Sequence, residues 1–217
     1  MNSQGIHIQN VSKSFASQLI LKDVSVSFLP GQVVGVLGAN GSGKTTFIKL
    51  ICGLVSPDKG SIVINGLNIV SNRRIIMASL GVLLDGSRHL YWRLSAWQNF
   101  TYFSGLKGLF GDSVQQRGKT LLSLFGLWDQ RNQKVESFSL GMRQKLSMCC
   151  ALAHDPHIIL LDEPTSGLDS DSQHLLATLL QARALEKKTI LVASHDVHLL
   201  NQICDRQVVI EKGCVLE

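Results

Sequence analysis

No apolar run in this 217-residue chain approaches the roughly 20 residues needed to span a bilayer; the cleanest, Ile158 to Leu161, has the length of a strand. The chain is therefore not expected to cross a membrane by itself. Its opening residues, Met-Asn-Ser-Gln-Gly, lack a positively charged stretch followed by an apolar one, so a secretion signal is not expected and the cytosol is the default location. Cysteine is scarce and odd in number: Cys52, Cys149, Cys150, Cys204 and Cys214 are never spaced C-x-x-C, which argues against a disulfide framework and a zinc site and leaves buried or inert thiols. Basic charge is present but never concentrated. The 21 Lys and Arg residues against 16 Asp and Glu give a formal +5, yet no block exceeds Arg73-Arg74 or Lys187-Lys188. That dispersal favours a mildly basic surface, or one facing anionic lipid, over a nucleic-acid groove. Internal repeats and low-complexity tracts are absent as well.

What is present suits an ordinary globular α/β protein, with 45% hydrophobic and 17% charged residues, a content that supports a core without cross-links. Apolar and polar residues alternate at Ile6 and Ile8 and again at Val24, Val26 and Phe28, the period of half-solvated antiparallel strands. Val33 to Leu37 and Ile158 to Asp162 are instead uninterrupted, as strands buried on both faces are, and Thr189 to Ala193 makes a third. Helical patterns lie between them, at Lys44 to Cys52, Gln144 to Ala153 and around Leu175, Leu176, Leu179 and Leu180. Alternation of this kind predicts a mostly parallel sheet covered on both faces. From about Asp85 to Leu140 the pattern becomes amphipathic and aromatic, which predicts a helical insert broken at Gly105, Gly108 and Gly111. A terminal hairpin is expected at Val208 to Leu216, turning at Lys212-Gly213.

Gly38-Ala39-Asn40-Gly41-Ser42-Gly43-Lys44-Thr45 reads G-x-x-x-x-G-K-[ST] and stands between a buried strand and a helix, the context a phosphate-binding loop requires. Its glycines turn consecutive N–H groups toward β- and γ-phosphates at the positive end of the helix, Lys44 adds a point charge, and the Thr45 hydroxyl can ligate Mg²⁺. The buried strand ending in Asp162-Glu163 supplies one carboxylate to hold Mg²⁺ and a second to polarise an attacking water. Ser139-Leu140-Gly141, read alone, is an ordinary helix N-cap; its N–H groups and hydroxyl could also cradle a phosphate. His195 alone reads as a strand-end or capping histidine, and a metal pair with His198 lacks a third ligand.

Taken together, the phosphate loop, the Ser139-Leu140-Gly141-Met142 segment, Leu160 to Asp169 and Ser194-His195-Asp196 resemble the nucleotide-binding subunits of ABC transporters over nearly the whole chain. The resemblance implies a P-loop NTPase with a RecA-like core and mostly parallel sheet, an N-terminal antiparallel β subdomain and an inserted α-helical subdomain. Residues 1–84 and 149–217 would form the first two and residues 85–148 the insert. It implies ATP bound by Gly38 to Thr46, Asp162 supporting Mg²⁺, Glu163 as general base with Lys44 and His195 acting on the γ-phosphate, and Phe15 stacking on adenine, with a core phenylalanine as the lesser alternative. Ser139, Leu140, Gly141 and Met142 would contact ATP held by a second ATPase subunit, with Ser166 to Asp169 crossing the seam. An integral membrane permease would be the other partner, placing the chain on the cytoplasmic face of the membrane.

Two positions depart from the family pattern. Asp85 stands where a magnesium-ligating glutamine is usual; an aspartate can still ligate magnesium but is shorter and charged. Phe138-Ser139-Leu140-Gly141-Met142 replaces Leu-Ser-Gly-Gly-Gln, and that wording together with Asp85-Gly86-Ser87-Arg88 resembles the exporter branch whose membrane subunit is a separate chain. Tyr91, Trp92, Trp97 and Phe100 flank where the family receives a coupling helix, though helix packing accounts for any one of them as well. The rival class is a soluble ABC ATPase acting on nucleic acid or ribosomes. It would carry a long heptad coiled coil or two ATPase domains, and neither is in this sequence. A small-molecule P-loop kinase is disfavoured by the signature segment and Glu163.

Overall fold

The computed structural model describes residues 4–84 and 89–216. Two long strands, β1 (Ile6–Phe15) and β2 (Gln18–Phe28), pair antiparallel, and β4 (Lys59–Ile64) and β5 (Leu67–Asn68) extend them into a sheet ordered β2-β1-β4-β5. Burial alternates along Ile6 to Ile8 of β1 and Val24 to Phe28 of β2, so one face of these strands enters the core, as the period-two pattern predicts.

The second sheet runs β10-β9-β3-β8-β7-β6, built from β3 (Gln32–Leu37), β6 (Leu80–Leu83), β7 (Ile158–Asp162), β8 (Thr189–Ser194), β9 (Arg206–Glu211) and β10 (Cys214–Leu216). All its pairings are parallel except the terminal β9–β10 hairpin. Every residue of β7 and β8 is buried, which explains why their sequences carry no polar alternation. One face, through Val34, Val36, Leu160 and Leu191, packs on α1 (Lys44–Ile51) and the antiparallel sheet, where Phe28 meets Phe47 edge-on at 6.1 Å. The other, through Val33, Ile159, Leu161, Ile190 and Val192, packs on the helical side of the molecule.

That side comprises α3 (Ala96–Leu106), α4 (Asp112–Leu124), α5 (Leu140–Leu152), α6 (Ser170–Leu185) and the short α7 (Val197–Ile203). Another short helix, α2 (Arg73–Ser79), precedes β6. The breaks expected in the insert fall differently from the sequence reading. Gly108 and Gly111 do lie in the turn between α3 and α4, at φ 82° and 61°, but Gly105 sits inside α3, whose hydrogen-bonded turns absorb a single glycine at a cost of about 1 kcal/mol. Trp97 and Phe100 pack rather than display themselves: they stack at 5.9 Å against α4, where a Cβ at Gly118 would lie 2.4 Å from the Trp97 ring. Tyr91 and Trp92 remain about half exposed, at 47% and 50%.

Candidate active site

Parallel register brings three strand ends level. Leu37 pairs with Ser194 and Asp162 with Ala193. Gly38, Glu163 and His195 therefore leave the sheet side by side at its carboxyl edge, where open parallel sheets bind their ligands.

The loop after β3 is shaped for an anion. Gly41 and Gly43 hold φ of 81° and 110°, and a Cβ at Gly38 would sit 2.4 Å from Ser42 Oγ and 2.8 Å from the Ile210 carbonyl. Unlike α5, α6 and α7, capped by Ser139, Asp169 and Asp196, α1 has no side-chain cap and no acid in its first turn. Its first N–H groups are thus left for a ligand. Ser42 Oγ is buried in the same loop without a hydrogen-bond partner. Lys44 is 6% exposed; its Nζ donates to the Gly38 carbonyl at 2.7 Å and the Ala39 carbonyl at 3.2 Å and lies 3.7 Å from Glu163 Oε1. Ala39 and Asn40 are exposed at the loop's tip, and Thr46 continues the first turn of α1.

The β7 end meets this loop directly. Thr45 Oγ1 donates to Asp162 Oδ2 at 2.6 Å, a hydroxyl and a carboxylate of the hard-oxygen type that a Mg²⁺ ion takes. Asp162 is fully buried, while Glu163 beside it turns outward in the left-handed region, φ 48°. For a residue with a side chain that conformation costs about 1–2 kcal/mol, and its surroundings hold it: the Glu163 N–H donates to the Ala193 carbonyl at 2.9 Å. Ser194 Oγ donates to Glu163 Oε2 at 3.1 Å, the His195 N–H to Oε1 at 3.1 Å, and His195 Nδ1 lies 2.9 Å from the same Oε1. A carboxylate oriented by a hydroxyl, an amide and an imidazole has the geometry of a fixed proton acceptor.

The remaining predicted residues fall outside this cluster. Phe15 ends β1 with its ring 46% exposed under Lys13 Nζ at 5.2 Å, which sets aside the core-phenylalanine reading. Ser139 caps α5 by accepting the Met142 N–H at 3.2 Å, and Leu140 is 50% exposed. Among the described residues, no hydrogen bond or ion pair joins residues 139–142 to residues 38–46. Asp85 lies outside the described residues.

Several contacts had no reading in the sequence. Gln144, buried on α5, donates from Nε2 to the Glu163 carbonyl at 3.2 Å and the Pro164 carbonyl at 3.1 Å, tying the signature helix to the turn that carries Glu163. A polar residue on an otherwise buried helical face was the available signal. Gly141 is tight against Gly167, whose carbonyl oxygen would be 2.5 Å from an added Cβ. Ser194, a hydroxyl ending an apolar strand, went unassigned although it grips Glu163. Lys145 stands 3.7 Å from Asp169, whose carboxyl the Ser172 hydroxyl and N–H hold below the usual range.

Comparison with known proteins agrees with this geometry. The ABC transporter family model matches residues 21–166. The ABC transporter ATP-binding protein NatA of Bacillus subtilis (strain 168) is 40% identical over 90% of this chain and 80% of its own length. The Nod factor export ATP-binding protein I of Bradyrhizobium diazoefficiens is 32% identical over 99% of this chain and 70% of its own. A solved dimeric ATP-binding cassette in a post-hydrolysis state, bound to ADP and Pi, superposes with a TM-score of 0.88 at 26% identity, covering 98% of this chain and 97% of that one. The chain belongs to the ABC transporter family, as an ATP-binding subunit with ATPase activity. The nucleic-acid and ribosome alternative is not favoured by relatives named for transport.

Proposed function

We propose that two copies of this chain close on two ATP molecules, that closure drives a separately encoded membrane subunit, and that the direction is export. The convergence of Lys44, Thr45, Asp162, Glu163 and His195 at one sheet edge, with Ser139 to Met142 apart from it in the same chain, carries this reading. Residues Gly38 to Thr46 hold the phosphates, Lys44 neutralises charge on them, and Phe15 offers its exposed ring to adenine. Thr45 and Asp162, with Asp85, would hold Mg²⁺, which when bound neutralises phosphate charge. Glu163 accepts the proton of the attacking water, and His195 keeps its carboxylate aimed. Ser139, Leu140, Gly141 and Met142 complete the site of the other copy.

Residues 1–84 and 149–217 act as the catalytic body and 85–148 as the lever; α5 spans the second boundary and so links the two. Among the described residues no helix is long and apolar enough to cross a membrane, so the chain reaches the bilayer through its partner, on the cytoplasmic face. An apolar groove of about 440 Å³ between β6 and α3 supports seating of that partner.

Mixing two inactive chains tests the shared site. Lys44→Ala and Ser139→Ala chains each lose turnover alone, but a mixed dimer has one site with neither lesion. Recovery of roughly a quarter of wild-type turnover on mixing supports shared sites by simple pairing statistics. Mixtures no more active than their components would contradict them.

A further inference from the structure

The cations of this chain are spread along the sequence, but its acids are not. Residues 59–111 hold six Lys and Arg, namely Lys59, Arg73, Arg74, Arg88, Arg93 and Lys107, against one acid, Asp85. That stretch therefore carries the whole formal +5, and the rest of the chain balances at 15 of each sign. It also leaves apolar groups in water. Among the described residues five large apolar side chains are more than 60% exposed, and four of them, Val70, Ile75, Leu106 and Phe110, lie here.

The fold draws most of these groups onto one surface. On the seven-residue α2, Ile76 is buried while Arg73, Arg74 and Ile75 face outward. Arg73 lies against Gly53, next to the half-exposed Leu54. Lys107 Nζ donates to the Met77 carbonyl at 2.6 Å and the Leu80 carbonyl at 2.9 Å, which fastens the end of α3 to the end of α2. Leu54, Met77 and Leu106 border one groove as a result, and Leu106 shares the next with Phe110. Asp58, the acid before this stretch, is already held by Lys13 at 2.6 Å, and among the described residues Arg73 and Arg74 enter no ion pair.

We propose that this surface, from α2 across Leu54 to the turn between α3 and α4, binds the anionic headgroups of a phospholipid bilayer directly. Cations without counter-ions, set among exposed aliphatic and aromatic groups, suit the boundary between charged headgroups and acyl chains. The short cytoplasmic loops of a membrane protein carry an excess of Lys and Arg, so they match such a surface poorly. Nucleic acid would satisfy the cations but give Val70, Ile75 and Leu106 nothing to pack on. This contact goes beyond the membrane-subunit reading.

The test is sedimentation of the purified full chain with vesicles of phosphatidylcholine alone or with phosphatidylglycerol at about 3:1, at low salt and at about 0.5 M. The chain should bind the anionic vesicles, and at least about 10-fold more weakly the neutral ones or either kind at high salt. Arg73→Gln with Arg74→Gln should weaken binding at least about 10-fold, at roughly five-fold per cation beside a charged surface. Leu106→Ser with Phe110→Ser should weaken it at least about five-fold and leave its salt dependence in place, which keeps the test open if the arginine pair does not fold. Lys22→Gln with Lys212→Gln removes the same charge at β2 and at the β9–β10 turn, the far edges of the two sheets, and should stay within about two-fold. ATP turnover of both variants on the proposed surface should remain within about two-fold of wild type, since none of the four residues belongs to the phosphate site. Equal binding to neutral and anionic vesicles, an arginine pair that binds like wild type, or an equal loss in the Lys22 and Lys212 pair overturns the proposal. So does a chain that ignores both kinds of vesicle yet is recovered with a membrane protein, which would make this face a protein contact. Vesicles hold no membrane subunit, so failure here leaves the transport reading to the mixed-dimer experiment.

Discussion

The carboxyl edge of the central sheet and the outer face of the helical insert treat their side chains in opposite ways. At the edge, Asp162 and Ser194 end strands buried along their whole length, and Glu163 and His195 follow one residue later. Their positions are set by a backbone that cannot shift without breaking the core. On the insert, large apolar groups face solvent: Leu106 is 64% exposed, Phe110 71%, and Trp92 50% beside Arg143. Chemistry needs groups fixed to within tenths of an ångström, and buried parallel strands supply that. Recognition of a partner needs apolar area left unspent, and an insert fastened to the core through α5 supplies it without disturbing the edge.

The comparison breaks first at Lys44. Lys44→Ala removes the buried ammonium that faces both the loop carbonyls and Glu163, and ATP turnover should fall about 100- to 1000-fold, as for loss of one charge-stabilising donor. Loss below about ten-fold in a steady-state assay would separate Lys44 from the chemistry. Leu161→Ala probes the scaffold instead. Leu161 is fully buried one residue before Asp162, so urea unfolding should show a loss of about 2–5 kcal/mol.

A smaller effect comes from pH. His154 has a folded-state pKa near 4 against an ordinary 6.5, so between those values the unfolded chain binds more protons than the folded one. Its contribution is present above pH 6.5 and lost as pH falls toward 4. Melting temperature should decline over that window, and His154→Phe should flatten the decline; an unchanged slope would show that His154 does not set it. Smallest of all, Leu106→Ser with Phe110→Ser should alter folding stability by no more than about 0.5 kcal/mol per site, since both side chains already lie in solvent. Losses as large as that at Leu161 would erase the distinction between the two regions.

Much of the edge was legible in the sequence because its signals are local. A buried strand running into G-x-x-x-x-G-K-T fixes strand, loop and helix within 20 residues, and the Lys212-Gly213 turn, at φ 48° and 80°, announced the β9–β10 hairpin. The hidden parts depend on contacts between distant segments. The grip of Ser194 on Glu163 follows from the register of β7 on β8, and Gln144 reaches Glu163 only once α5 has packed beneath that turn. Lys107 carries no local signal in the sequence, because its partners, the Met77 and Leu80 carbonyls, lie about 30 residues away. Gly105 misled because a lone glycine near a helix end resembles a stop signal, whereas the hydrogen bonds of α3 continue to Leu106.

The central claim is that Glu163 is the base, aimed by Ser194 and His195 at the mouth of the phosphate loop. Glu163→Gln keeps the shape and the carbonyl oxygen but removes the basicity. Measured on one purified sample, ATP affinity should stay within a few-fold of wild type while single-turnover hydrolysis slows at least about 100-fold, the lower edge of a general-base effect. Hydrolysis at a near wild-type rate would contradict the account.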